Sequence, residues 1–195
     1  MLGALTTLAF LWAGKFLTRP RLVLSFDGDS DAYMAISTHS EGGHQVTRKY
    51  LRVSLRASGL IGNLFGSGGA ANCLIYITAI RPVDSGRAGN DQLYDGRTVS
   101  WPPNKSFAPR HLPRGITMFA NVVTMREGYL GWDFQIPDQY GLNSVRSHAG
   151  ILRLRITATA ENAAPVSIHI DAAIKADMSG FQTFGKKRSR LRWKN

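Results

Sequence analysis

Residues 152–171 read LRLRITATAENAAPVSIHID, and their alternation decides the fold class. Leu152, Leu154, Ile156 and Ala158 fall on one side of a period-two repeat, with Arg153, Arg155 and Thr157 on the other. Val166, Ile168 and Ile170 then alternate with Ser167, His169 and Asp171. Side chains of an extended strand point alternately to opposite faces, so each run presents one apolar and one solvated face. The intervening ENAAP, residues 161–165, is predicted to turn the chain between two antiparallel strands.

The same period recurs upstream. Leu22, Leu24 and Phe26 alternate with Val23 and Ser25, and Leu51, Val53, Leu55 and Ala57 with Arg52, Ser54 and Arg56. CLIYITAI, residues 73–80, is apolar almost throughout and reads as a central strand, and Val122 and Val123 mark another. No capped amphipathic helix separates these runs, which disfavours an α/β fold. The expectation is an all-β antiparallel β-sandwich spanning 20–178. The long Gly- and Pro-marked stretches 59–69 and 82–113, the second holding Trp101, suit crossings between sheets better than tight hairpins.

Two short ends flank this body. Met1 to Leu17 reads MLGALTTLAFLWAGKFL, uncharged before Lys15 and followed by Arg19 and Arg21. A helix of that length extends about 25 Å against a hydrocarbon core of about 30 Å. Spanning is therefore marginal, and residues 1–19 are predicted to be a short apolar helix and membrane anchor, with Trp12, Lys15, Arg19 and Arg21 at the interface, the alternative being a helix buried or packed on a partner. A signal peptide places its charges before the apolar run, and here they follow it. The positive-inside rule puts the main domain in the cytoplasm.

The 195-residue chain carries 24 Lys and Arg against 13 Asp and Glu, a net charge of +11. Six of the basic residues, Lys186, Lys187, Arg188, Arg190, Arg192 and Lys194, lie in the C-terminal tail 179–195. With those six set aside, the basic residues still exceed the acids by five. A Lys/Arg cluster beside Trp193 suits anionic lipid headgroups, and less favourably nucleic-acid phosphates.

KYLRVSLRASG (49–59), GGAANCLIYITAI (68–80), VSWPP (99–103), FAPRHLPRGI (107–116), FANVVTM (119–125) and LRLRITATAENAAPVSIHIDAA (152–173) together resemble a group of bacterial proteins with Ig-like domains. That group is related to the cell-adhesion class and is often preceded by membrane helices. The resemblance covers roughly residues 20–172 and is most specific at Ala-Asn-Cys and at Thr-Ala-Glu-Asn-Ala. It implies a scaffold and a membrane association, and it carries no catalytic residue. The stretch 59–69 is longer and richer in Gly than the turn usual there.

Reaction chemistry finds weaker footing. Asp27, Asp29 and Asp31 have the spacing that opens many calcium loops, but Ala32 and Thr38 replace the Gly and Glu such a loop needs, so a solvated acidic turn is the better reading. HSEGGH, with His39, Glu41 and His44, lacks the spacing of a helical zinc motif and reads as a polar loop. The glycine-rich run 62–72 lacks the Gly-Lys-Ser/Thr ending of a phosphate loop and precedes a strand. Cys73 is the only cysteine, so no intrachain disulfide forms, and its apolar setting predicts a buried, inert thiol. The function expected is non-catalytic binding or scaffolding at a membrane surface, with a protein partner and no cofactor. The alternatives are a soluble nucleic-acid-binding β domain and, third, a metal-dependent enzyme.

Overall fold

Period-two burial is clearest in the longest strand. The computed structural model describes residues 19–59, 69–82, 92–102, 106–126, 133–134, 152–174 and 181–183. These form β1 (Arg21–Ser25), β2 (Met34–Glu41), β3 (His44–Ser58), β4 (Ala70–Pro82), β5 (Gln92–Thr98), β6 (Arg110–Leu112), β7 (Thr117–Arg126), β8 (Asp133–Phe134), β9 (Leu152–Ala160), β10 (Ala163–Ile174) and β11 (Phe181–Thr183). No helix occurs among the described residues. In β3, Leu51, Val53, Leu55 and Ala57 are completely buried, while Arg56 is exposed.

Two antiparallel sheets result. In the first, β3 is central: β7 and then β8 lie to one side, and β1 and β2 share its other side. In the second the order is β11, β10, β9, β4, with β5 and β6 sharing the far edge of β4. Their apolar faces share one core. Leu24, Val53, Leu55 and Val122 of the first sheet cluster with Ile75, Ile77, Leu154, Ile156 and Ile170 of the second. Register aligns the isoleucines of the second sheet, Ile77 opposite Ile156 and Ile156 opposite Ile168.

The chain passes between the sheets repeatedly, from β8 to β9 and at three places nearer its start. β3 hands over to β4 across residues 59–69, as the spacing predicts. Around residue 100, the Val99 N–H bonds the Ile75 carbonyl of the second sheet, and the Ser100 carbonyl accepts from Asn121 N–H of the first. After β6, the Gly115 N–H reaches the Ala57 carbonyl, returning the chain to the first sheet. The segment 82–113 is therefore not one crossing, because β5 and β6 within it first pair with β4.

β1 and β2 are two pieces of one edge. Ser25 pairs with Ser54 and Met34 with Leu51, so the eight residues from Phe26 to Tyr33 stand opposite only two of β3. This excursion carries the acidic turn. HSEGGH closes the β2–β3 hairpin rather than forming a free loop, with Glu41 opposite His44. Gly42 and Gly43, at φ of +58° and +83°, form the turn, a backbone pair that side chains rarely tolerate and that matches strand twist.

The apolar helix expected over residues 1–19 lies, apart from Arg19, outside the described residues, as does most of the tail 179–195. Ile156→Ala removes a fully buried side chain from between the sheets and is expected to cost about 2–5 kcal/mol. Ile36→Ala, at a residue 65% exposed, is expected to change stability by less than about 0.5 kcal/mol. Urea unfolding of both variants checks the contrast; equal losses would mean that the shared core is misplaced.

Candidate functional site

Polar side chains bridge the strands at the end of the sheets where β1 begins. There the strand β4 starts irregularly: its pairing with β6 shifts between Ala70 and Cys73, and Asn72 takes a φ of +50°, which Asn accepts more readily than most residues. The β9–β10 turn closes over this irregularity. Asn162 donates through Nδ2 to the Gly69 carbonyl (3.1 Å) and accepts at Oδ1 from the Ala71 N–H (2.9 Å). The Glu161 N–H bonds the Ala71 carbonyl at 3.1 Å, and Asn72 Nδ2 donates to Glu161 Oε1 at 2.6 Å. Gly69 is needed for a separate reason, since a Cβ there would overlap the Leu112 carbonyl.

The Ala-Asn-Cys and Thr-Ala-Glu-Asn-Ala stretches are thus brought into contact, although some 90 residues separate them. The Asn162 amide holds backbone, and the Asn72 amide holds the Glu161 carboxylate. Cys73, beside the clamp, is fully buried, and its thiol lies 3.4 Å from the Ala70 carbonyl. Burial pushes the thiol pKa up, with a backbone hydrogen bond from Leu112 opposing in part.

The remaining sequence candidates separate into distinct places. Arg19 and Arg21 are exposed at the start of β1, with Arg21 opposite Ser58. The acidic turn is built by local bonds: Asp29 N–H to Asp27 Oδ1 at 3.2 Å, Ser30 N–H to the Asp27 carbonyl and Met34 N–H to the Asp31 carbonyl. Among the described residues no three His, Cys, Asp or Glu side chains converge as metal ligands would. On the hairpin, Glu41 Oε1 contacts both His39 Nε2, at 2.9 Å, and Arg48 Nη2. Trp101 is only 1% exposed, so it is a core residue and not part of a loop surface. Trp12, Lys15, Lys186, Lys187, Arg188, Arg190, Arg192 and Lys194 lie outside the described residues.

Sequence reasoning missed two polar groupings. Tyr33 folds back over the first sheet, its hydroxyl 2.9 Å from Ser54 Oγ, which is itself 2.7 Å from Ser25 Oγ. The Tyr33 ring meets Phe26 and Phe119 edge-on, at centroid distances of 5.8 and 5.3 Å. Further along, Arg52 Nε donates to Asn121 Oδ1 at 2.9 Å and its guanidinium lies 5.8 Å from the Tyr50 ring centre. Burial lowers the Arg52 pKa, and Tyr50 partly offsets this. The period-two pattern placed Ser54 and Arg52 on the outer face, but nothing in it foretold that Tyr33 would cover that face.

No family model matches the chain, and comparisons with the curated proteins and with solved structures find no match.

Asn162→Ala strands the Gly69 carbonyl and the Ala71 N–H together, and an expected loss of about 1–3 kcal/mol follows. Thermal melts check it; an unchanged midpoint would show that the clamp is idle. Cys73 gives a pH signature. Its folded pKa is raised above the ordinary 9.0, so the thiol ionises more readily unfolded, and stability is expected to fall as pH rises through and beyond that value. Comparing pH-dependent melts of the protein and Cys73→Ala isolates this slope. The same slope in both would rule out the thiol as its source.

Proposed function

We propose that the chain is a membrane-anchored, Ig-like β-sandwich domain that works by binding or scaffolding. One observation carries the reading. Pro20 is already buried and Arg21 already paired with Ser58, while the apolar run ends at Leu17. Only Thr18 and Arg19 separate the two in sequence, which leaves at most about 11 Å of chain between the body and whatever the apolar run enters. Lys15, Arg19 and Arg21 at that junction favour a cytoplasmic position for the body.

Three further features support it. The core shared between two antiparallel sheets, with repeated crossings from one to the other, suits a sandwich and the Ig-like resemblance. Of the residues that mark the resemblance, Asn162 holds the backbone of Gly69 and Ala71, and Asn72 bonds the Glu161 carboxylate, as scaffold residues would. From Thr183, whose side chain lies against Gly28 just beyond β1, the twelve remaining residues reach at most about 40 Å. β1 is only about 17 Å long, so the basic tail can meet the same surface as the anchor. Membrane binding by the tail then adds to the anchor, since stable attachment commonly combines an apolar and a polybasic signal.

Flotation with phospholipid vesicles tests the reading. The full chain is expected to float in high salt, and a chain beginning at Pro20 is expected to lose at least tenfold of its bound fraction there. Equal behaviour of the two chains would remove the anchor. Salt-dependent binding to a labelled duplex, lost with residues 186–195 and unaccompanied by flotation, would favour the nucleic-acid alternative.

A further inference from the structure

The outer face of the first sheet has an unusual end. Cross-strand register places Val23 beside Arg56 and Arg56 beside Thr117, with Arg21 two residues before Val23 on the same side of β1. Arg21, Val23, Arg56 and Thr117 are all exposed. Next to Thr117, where the chain returns to the first sheet, Ile116 is 52% exposed, and Val23 is 44% exposed. Among the described residues only three large apolar side chains are exposed, and two of them lie here. The third, Ile36, lies opposite Lys49 toward the hairpin.

Cations flanking exposed aliphatic side chains are what an interfacial surface requires, because guanidinium groups pair with lipid phosphates while apolar groups enter the acyl boundary. A solvated face would not need the aliphatic part. The position of the patch matters as much as its composition, since it lies at the end where the chain arrives from the apolar run. We propose that Arg21, Val23, Arg56 and Ile116 form a contact surface for the headgroups of an anionic bilayer, so that the body leans onto the membrane with the end of its first sheet at which β1 begins. This rests on the membrane reading above and adds an orientation and a lipid class to it. Each basic residue near an anionic surface strengthens binding about fivefold, so reversing two of them should be plainly measurable.

The test uses the full chain carrying Ile116→Cys and Cys73→Ala, labelled at position 116 with an environment-sensitive fluorophore. It is mixed with vesicles of phosphatidylcholine alone or of phosphatidylcholine with phosphatidylglycerol. A blue-shifted emission confined to the phosphatidylglycerol vesicles, and lost in Arg21→Glu/Arg56→Glu, is expected. Emission that is identical in both vesicles, or unmoved by the double reversal while the protein still floats, would overturn the surface and leave the anchor standing. Flotation only with phosphatidylglycerol, abolished by the reversal, would support the surface and overturn the anchor. Absence of flotation with either vesicle would overturn both. Circular dichroism of the double variant, expected to match the parent, separates a lost contact from a lost fold; if the reversal unfolds the chain, Val23→Ser with the same label must reduce the shift, and an unchanged shift would overturn the surface.

Discussion

The apolar side of β3 can be buried only against a second sheet, and the rest of the molecule follows from that need. Leu51, Val53, Leu55 and Ala57 are fully buried, and the strands that answer them, β4, β9 and β10, belong to the other sheet. Each buried aliphatic side chain contributes roughly 1.5–3 kcal/mol of transfer free energy, which no local turn or cap could match. The crossings near residues 59–69, 100 and 113–115 keep the two faces opposed. The amide clamp between Asn162 and the backbone of Gly69 and Ala71 then ties the β9–β10 turn to the start of β4 at one end. Outside the core, polar ladders hold the second sheet in register: Arg153 grips Asp171 through two bonds of 2.7 and 2.8 Å, and Thr78, Thr157 and Ser167 run side by side.

Strands that bury one face were legible in the sequence, and strands that do not were missed. β1, the second half of β3, β4, β7, β9 and β10 all show alternating or continuous apolar residues. β2 reads MAISTHSE and is exposed or half-exposed along its whole length, so no hydrophobic period announces it. Its signal lay in the Gly-Gly pair between Glu41 and His44, a turn cue that the surrounding polar residues made easy to read as a loop. β6, with three residues, and β8, with two, are too short for any period to register. Bulges at Leu51/Arg52 and Ile77/Ala79 shift the register in ways that only pairing reveals.

The candidate site was legible in its residues and not in its geometry. Asn72 and Glu161 stood out as members of two conspicuous stretches, yet their contact depends on β4 and β9 being neighbours. Arg21 was visible as a charge after an apolar run. Arg56 looked like an ordinary solvated residue of an amphipathic strand, and only the register of β1 on β3 sets it beside Val23. The two residues that separate Leu17 from buried Pro20 in sequence turn these placements into the proposed orientation, because a body joined so closely to an anchor would not turn freely away from it.

Hydroxyl-radical footprinting of the full chain, free and on phosphatidylglycerol-containing vesicles, tests that orientation most directly, since Val23, Ile116 and Ile36 are exposed and each can be oxidised. If the body rests on the bilayer by the β1 end of its first sheet, oxidation of Val23 and Ile116 falls several-fold on the vesicles while that of Ile36 holds. Protection of Ile36 instead, or no change at all three, would contradict it.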